Sequence, residues 1–131
     1  LDIYVATDGP DTDFTAKLID LFPPSPNHPA GAALNLTDSI LRLRFRNGFE
    51  REEPAVPGEV YEIRFELYPT ANRFVRGHRV RVDVSSSNYP RFDVNPNTGG
   101  PIGVDRTMRT ARNTLHHDKT RPSRIILPVA E

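Results

Sequence analysis

The sequence predicts an all-β protein, an antiparallel β-sandwich of the jelly-roll type. Apolar and polar residues alternate with a period of two in several short segments, which is the pattern of a strand buried on one face. Turn-forming residues separate these segments, with 13 Pro and 8 Gly among 131 residues. Helical periodicity is scarce, so about seven short strands joined by turns are expected.

The strands can be assigned along the chain. Apolar and charged residues separate completely in three segments: 41–45, 61–67 and 80–84. Further strands are predicted at 1–5, 14–22, 112–117 and 123–129. From Leu18 onward the segment 14–22 carries apolar residues at both parities, which predicts a β-bulge or a strand end covered on both faces.

Composition and charge exclude several classes of protein. A chain of 131 residues predicts one domain over 1–131, and a chain without cysteine cannot be a disulfide scaffold. The 17 basic and 17 acidic residues are evenly mixed, which argues against nucleic acid as a partner. Apolar runs of only a few residues predict neither a membrane span nor a signal peptide, so the cytoplasm is the default location.

The sequence contains no arrangement that indicates catalysis. An α/β-hydrolase presents its nucleophilic serine in a G-x-S-x-G turn, and no such run is present. The serines at 85–87 are expected to satisfy the backbone of a turn. His116 and His117 point to opposite faces of a strand, so one should be inward and hydrogen-bonded and the other solvated. We predict no catalytic residue, metal or cofactor, and keep His116 as a secondary site candidate.

Three carboxylates crowd the turn 8–13, those of Asp8, Asp11 and Asp13. Their spacing does not match the twelve-residue calcium loop, which needs alternating oxygen ligands, a central glycine and a distal glutamate. Capping of the turn by aspartate side chains is the favoured interpretation. Asp11 and Asp13 are kept as secondary site candidates.

Arginine recurs on the outward parity of the predicted strand around 41–45, at Arg42, Arg44 and Arg46. Such a ladder is usually a solvated face whose aliphatic stems cover apolar surface. A docking face is the alternative interpretation, because arginine is enriched at interfaces.

The segment 84–99 is the most informative part of the sequence. The long connections at 22–33 and 88–107 are predicted loops, and long loops on a rigid sandwich are common contact surfaces. The segment combines two aromatic residues, an arginine, an aspartate and three asparagines with two prolines that stiffen it. Such stiffening lowers the entropic cost of binding. The predicted contact residues are Asn88, Tyr89, Pro90, Arg91, Phe92, Asp93, Asn95 and Asn97.

This segment, which reads SSSNYPRFDVNPNTG over 85–99, resembles a run in the C-terminal domain of one group of serine hydrolases, the X-Pro dipeptidyl-peptidases and cocaine esterases. Other segments are similar in the same order: 11–18, 34–42, 57–61, 74–81, 113–118 and 122–129. The resemblance covers 1–129 and implies a galactose-binding-like jelly roll.

The resemblance implies a non-catalytic accessory role. In this family the Ser, Asp and His triad lies upstream, in an α/β-hydrolase domain with a helical cap that acts on ester or X-Pro peptide bonds. The partners implied are those catalytic and cap domains, which this domain would stabilise while shaping the acyl side of the pocket.

The resemblance also implies roles within the loop. Tyr89 and Phe92 would be apolar anchors, Arg91 and Asp93 a flanking charge pair, and the asparagines at 95 and 97 would satisfy backbone groups. An equally weighted alternative is that the two aromatic side chains close this domain's own core.

The chain opens directly on the strand-like segment 1–5, after the position of the family domain's first strands. We therefore expect an N-terminally incomplete C-terminal domain of a larger hydrolase, with an exposed sheet edge that invites pairing. Two other functions stay open, a carbohydrate-binding module, which the lack of tryptophan disfavours, and a self-association module that makes a homo-oligomer.

Overall fold

A computed structural model describes residues 1–129 and arranges them in two antiparallel sheets of three strands each. The first sheet contains β1 (Asp2–Thr7), β4 (Tyr61–Arg64) and β6 (Asn113–His116), with β1 in the centre. The second sheet contains β2 (Asp13–Phe22), β3 (Ala32–Arg42) and β5 (Arg79–Ser85), with β2 in the centre. The predicted all-β antiparallel sandwich is confirmed.

The core lies between the two sheets. Ile3 and Val5 of β1 and Ile63 of β4 cluster with Phe14 and Ala16 of β2, and all five side chains are buried. Each large apolar side chain removed from water in this way stabilises the fold by about 2 kcal/mol. Further buried members of the cluster are Leu43, Ala55 and Phe65.

The irregularity between β2 and β3 has its extra residue in β3 and not in β2. Leu18 pairs with Thr37 and Ile19 pairs with Asn35, so Leu36 has no partner in β2. The pairing of β2 with β5 shows no such shift. Leu18 and Ile19 are both buried because β2 is the central strand and is covered on both faces, so the predicted cover on both faces is found and the bulge predicted within 14–22 is not.

The structure corrects the predicted strand at 41–45. The strand β3 ends at Arg42, and Leu43–Phe45 forms a single 3₁₀ turn. The turn forms because the buried Leu43 donates its N–H to the carbonyl oxygen of Thr12 and accepts a bond from the N–H of Arg46. The body of β3 instead lies in the preceding residues, which the alternation had not identified.

The predicted strand at 123–129 is also wrong. The structure reduces it to one bridge, in which Arg124 exchanges two backbone hydrogen bonds with Asp2. Pro122 and Pro128 flank the bridge, and proline cannot donate to a ladder. Within residues 1–129 no helix is long and apolar enough to cross a membrane.

Candidate functional site: a docking surface

The loop that follows β5 is held against the sandwich by a buried polar network. The side-chain nitrogen of Asn95 donates to Asp11 Oδ2 at 2.8 Å and to Asp13 Oδ1 at 2.7 Å. All three side chains are almost completely buried. One amide therefore links the loop to the two carboxylates that precede and begin β2.

Two arginines complete this network. Arg44 donates from its backbone N–H and from Nε to the two oxygens of Asp11, at 3.0 and 2.7 Å. Arg42 makes a two-pronged pair with Asp13, at 2.8 and 3.1 Å. The carboxylate of Asp13 raises the pKa of Arg42, with smaller contributions from Asp11 and Asp93. Each carboxylate therefore meets a guanidinium as well as the amide, which is what buried charges require.

This network corrects two sequence interpretations. Asp11 and Asp13 bind arginine and asparagine side chains, whereas turn capping was expected for them. The arginines were expected on a solvated or docking face, but Arg44 is only 2% exposed. The 3₁₀ turn explains the difference, because a strand alternation no longer applies beyond Arg42.

Other polar contacts fix the two ends of the loop. At the far end Asn97 has a φ of +62°, and its side chain donates to the carbonyl oxygen of Arg109 at 2.9 Å. At the near end Asn88 donates to Asp38 Oδ2 at 3.1 Å, and Arg91 pairs with Asp38 Oδ1 at 2.6 Å. The loop is thus held at three points, by the side chains of aspartates at two of them and by a backbone carbonyl oxygen at the third.

Asp38 corrects the predicted charge pair within the loop. Arg91 forms its ion pair with Asp38 and not with Asp93, and its guanidinium lies 5.6 Å from the ring centres of both Tyr68 and Phe92. Asp38 is buried in β3 and was missed, because the segment that contains it gave no strand signal. Its spacing from Asn35, which also donates to it, offered no recognisable motif.

The fixed loop leaves apolar surface uncovered. Tyr89 is 71% exposed, beside the exposed Pro90 to which a cis peptide bond joins it. Phe92 is half-buried and lies outside the core cluster. The alternative that these two rings close the domain's own core therefore fails for Tyr89 and holds only in part for Phe92.

Phe92 forms one wall of a groove of about 320 Å³. Phe45 and Phe49 lie along it, with ring centres 5.6 Å apart. The loop aspartate, Asp93, also lines the groove. Its remaining lining residues are Asp13, Ile40, Leu41 and Arg42. Sequence reasoning missed Phe45 and Phe49. Nothing in the sequence shows that they meet Phe92, because folding alone brings the three rings together.

A second uncovered surface lies on the side where β5 and β6 are the edge strands of the two sheets. An opening of about 520 Å³ separates Val82 and Val84 of β5 from Leu115 of β6. Val84 and Leu115 are 37% and 42% exposed although they point toward the core residue Phe14. Each of these strands pairs with one neighbour only among the described residues.

The remaining predicted candidates do not form a reaction centre. His116 follows the inward Leu115 and therefore lies on the outer face of β6. It is half-buried, and its Nε2 is buried without a hydrogen-bond partner within the described chain, so the expected inward, hydrogen-bonded histidine is not found there. His117 is exposed, and one of the two histidines was expected to be solvated. Ser85 and Ser87 accept bonds from the backbone of the turn, as predicted. Among residues 1–129 no three His, Asp or Glu side chains group as metal ligands would.

The fold and these two surfaces define a β-sandwich module with uncovered apolar side chains. Comparison with known proteins identifies the family of this module. The family model described as the X-Pro dipeptidyl-peptidase C-terminal non-catalytic domain matches residues 1–126, and the chain belongs to this family.

The relatives that match are much longer than this chain. The cocaine esterase of Rhodococcus sp. (strain MB1 Bresler) is 42% identical over 129 residues, which are 97% of this chain and 21% of the esterase. The aminopeptidase of the marine sediment archaeon Thaumarchaeota archaeon superposes with a TM-score of 0.80 and 33% identity, over 88% of this chain and 20% of its own. An α-amino acid ester hydrolase superposes with a TM-score of 0.79 and 32% identity, over the same shares. The chain therefore spans about a fifth of each.

Proposed function

We propose that this domain is the non-catalytic accessory part of a serine hydrolase and docks on the catalytic and cap domains of the same polypeptide, here called the parent enzyme. The single observation that supports docking most strongly is the loop 88–97, which is fixed by a buried network and yet leaves Tyr89 uncovered. A rigid loop loses little entropy on contact, so its apolar side chains can contribute most of their burial energy to the interface.

The contact would stabilise the parent enzyme and shape the acyl side of its pocket. Two features support this finer role, namely the aromatic groove and the family's division between catalytic and non-catalytic domains. The ester or X-Pro peptide bond acted on would be chosen by the other domains, which supply the triad. A cytoplasmic location stays a prediction from the cysteine-free sequence.

The domain is also proposed to be incomplete within 1–131. The half-exposed Val84 and Leu115 belong to the inward faces of their strands, and two unpaired edges flank them. A further strand of the parent enzyme, added beside β5 or β6, would cover this side and satisfy the edge. The competing occupant is a second copy of this chain that pairs along the same edge.

Docking can be tested by truncating the two aromatic side chains in the parent enzyme. Tyr89→Ala and Phe92→Ala should each lower the stability of the assembled enzyme by about 1–3 kcal/mol, because apolar area that is covered in the interface returns to water. Melting temperature and turnover of a matched ester substrate are the readouts.

Val56→Ala serves as the control, since Val56 is also an exposed apolar residue but belongs to another loop. Val56→Ala should leave melting temperature and turnover unchanged. If Tyr89→Ala also leaves both unchanged, the loop does not dock. A simple sugar that binds this loop would instead support the carbohydrate-binding alternative.

A further inference from the structure

The groove beside the docking loop carries an unbalanced negative charge. Of the charged side chains that line it, Arg42 and Asp13 neutralise each other at 2.8 Å. Asp93 is exposed and forms no ion pair with any residue among 1–129. The neighbouring guanidinium of Arg91 is already paired with Asp38. The net charge of the groove therefore comes from a single free carboxylate.

The walls of the groove are aromatic faces. Phe49 is 84% exposed, an unusual state for a phenyl ring, and Phe45 and Phe92 are half-buried on the same groove. Aromatic faces attract cations through the negative charge of the ring face. A carboxylate beside such rings adds a direct ion pair and selects positive charge over a neutral apolar group.

We propose that this groove receives a basic side chain, an arginine or lysine, from the catalytic or cap portion of the parent enzyme. The cation would pair with Asp93 while its aliphatic stem and charged head pack on Phe49, because Arg91 already lies over the ring of Phe92. Arginine fits best, because its planar guanidinium stacks on rings and forms two-pronged pairs with carboxylates. This inference rests on the proposed docking function and names the chemistry of the contact.

The test uses the full-length parent enzyme and four variants. Asp93→Asn removes the charge at constant shape, Asp93→Lys reverses it, and Phe49→Leu removes the ring face but keeps an apolar side chain. Asp93→Glu retains the charge and should preserve the wild-type behaviour. Glu66→Gln and Glu66→Lys are matched charge controls at an exposed carboxylate that has no ion pair in the described chain and does not line the groove.

Asp93→Asn and Phe49→Leu should each lower the melting temperature by roughly 1–3 °C, and Asp93→Lys should lower it further. The difference in melting temperature between the wild-type enzyme and Asp93→Asn should become smaller at about 0.5 M salt, because salt screens a partly exposed ion pair. The two Glu66 variants should match the wild type at both salt concentrations.

Two results would overturn the inference. If either Asp93→Asn or Phe49→Leu leaves the melting temperature unchanged, no cation is held between them. If the effects grow with enzyme concentration, the cation comes from a second copy and not from the same chain. Tyr89→Ala separates this failure from that of docking itself, because it should still destabilise an enzyme that docks without the cation.

Discussion

At the scale of the residue, the buried pairs differ sharply from the surface pairs. Arg44 is buried with Asp11, and its Nη1 also reaches Glu52 and the carbonyl oxygen of Gly100, each at 3.0 Å. Arg81 and Asp83 pair on the surface of β5, where their side chains are 46% and 41% exposed. Arg44 therefore connects the segments that contain Asp11, Glu52 and Gly100, whereas the surface pair connects two residues of one strand.

Arg44→Met should therefore lower the free energy of unfolding by about 3–5 kcal/mol, since it leaves Asp11 charged, buried and short of a partner. Arg81→Met should leave it nearly unchanged, because water replaces the lost contact. Denaturant unfolding of both variants measures the difference. Equal effects would mean that the buried network does not hold the loop.

The same residues show what the sequence could not reveal. The aspartates and arginines were recognised as clusters, but their pairing depends on a turn at Leu43 that places Arg44 inside the fold. Alternation predicts which face a side chain occupies only while the strand continues. Asn95 was predicted to satisfy backbone groups, and its link to two distant carboxylates had no local signal.

At the scale of the element, most strands were predictable because apolar residues recur along them with a period of two. The segments 61–67 and 80–84 coincide with β4 and β5, although β4 ends at Arg64. The burial of β2 on both faces was visible in the apolar residues at both parities from Leu18 onward. The strand β3 was harder to predict. Its first half is largely exposed on both faces, so it lacks the apolar alternation that identifies a strand.

The open side of the sandwich gives the prediction that belongs to this scale. Val84→Lys places a charge among inward apolar side chains, so it should destabilise the parent enzyme if a strand covers the opening beside β5. Thr114→Lys is the control, because Thr114 precedes the inward Leu115 on β6 and points the other way. Melting temperature measures both. Equal melting temperatures for the two variants would show that the opening stays in water.

At the scale of the whole molecule, the sandwich acts as a rigid support for one loop. The sequence predicted the loop as a contact surface from its composition, and three side-chain anchors explain why it can keep one shape. The groove was not predictable, because Phe92 is far along the sequence from Phe45 and Phe49 and meets them only after folding. The family model describes a non-catalytic domain, and the chain spans about a fifth of the long relatives, which supports the proposal that hydrolase domains lie beside it.

The central claim is that the loop 88–97 is buried against other domains of the parent enzyme. Amide hydrogen exchange of this loop, compared between the parent enzyme and the chain 1–131, tests it most directly. We predict exchange about 5- to 30-fold slower in the parent enzyme, the factor that one or two kcal/mol of docking energy produces. Equal exchange rates in the two proteins would contradict the claim.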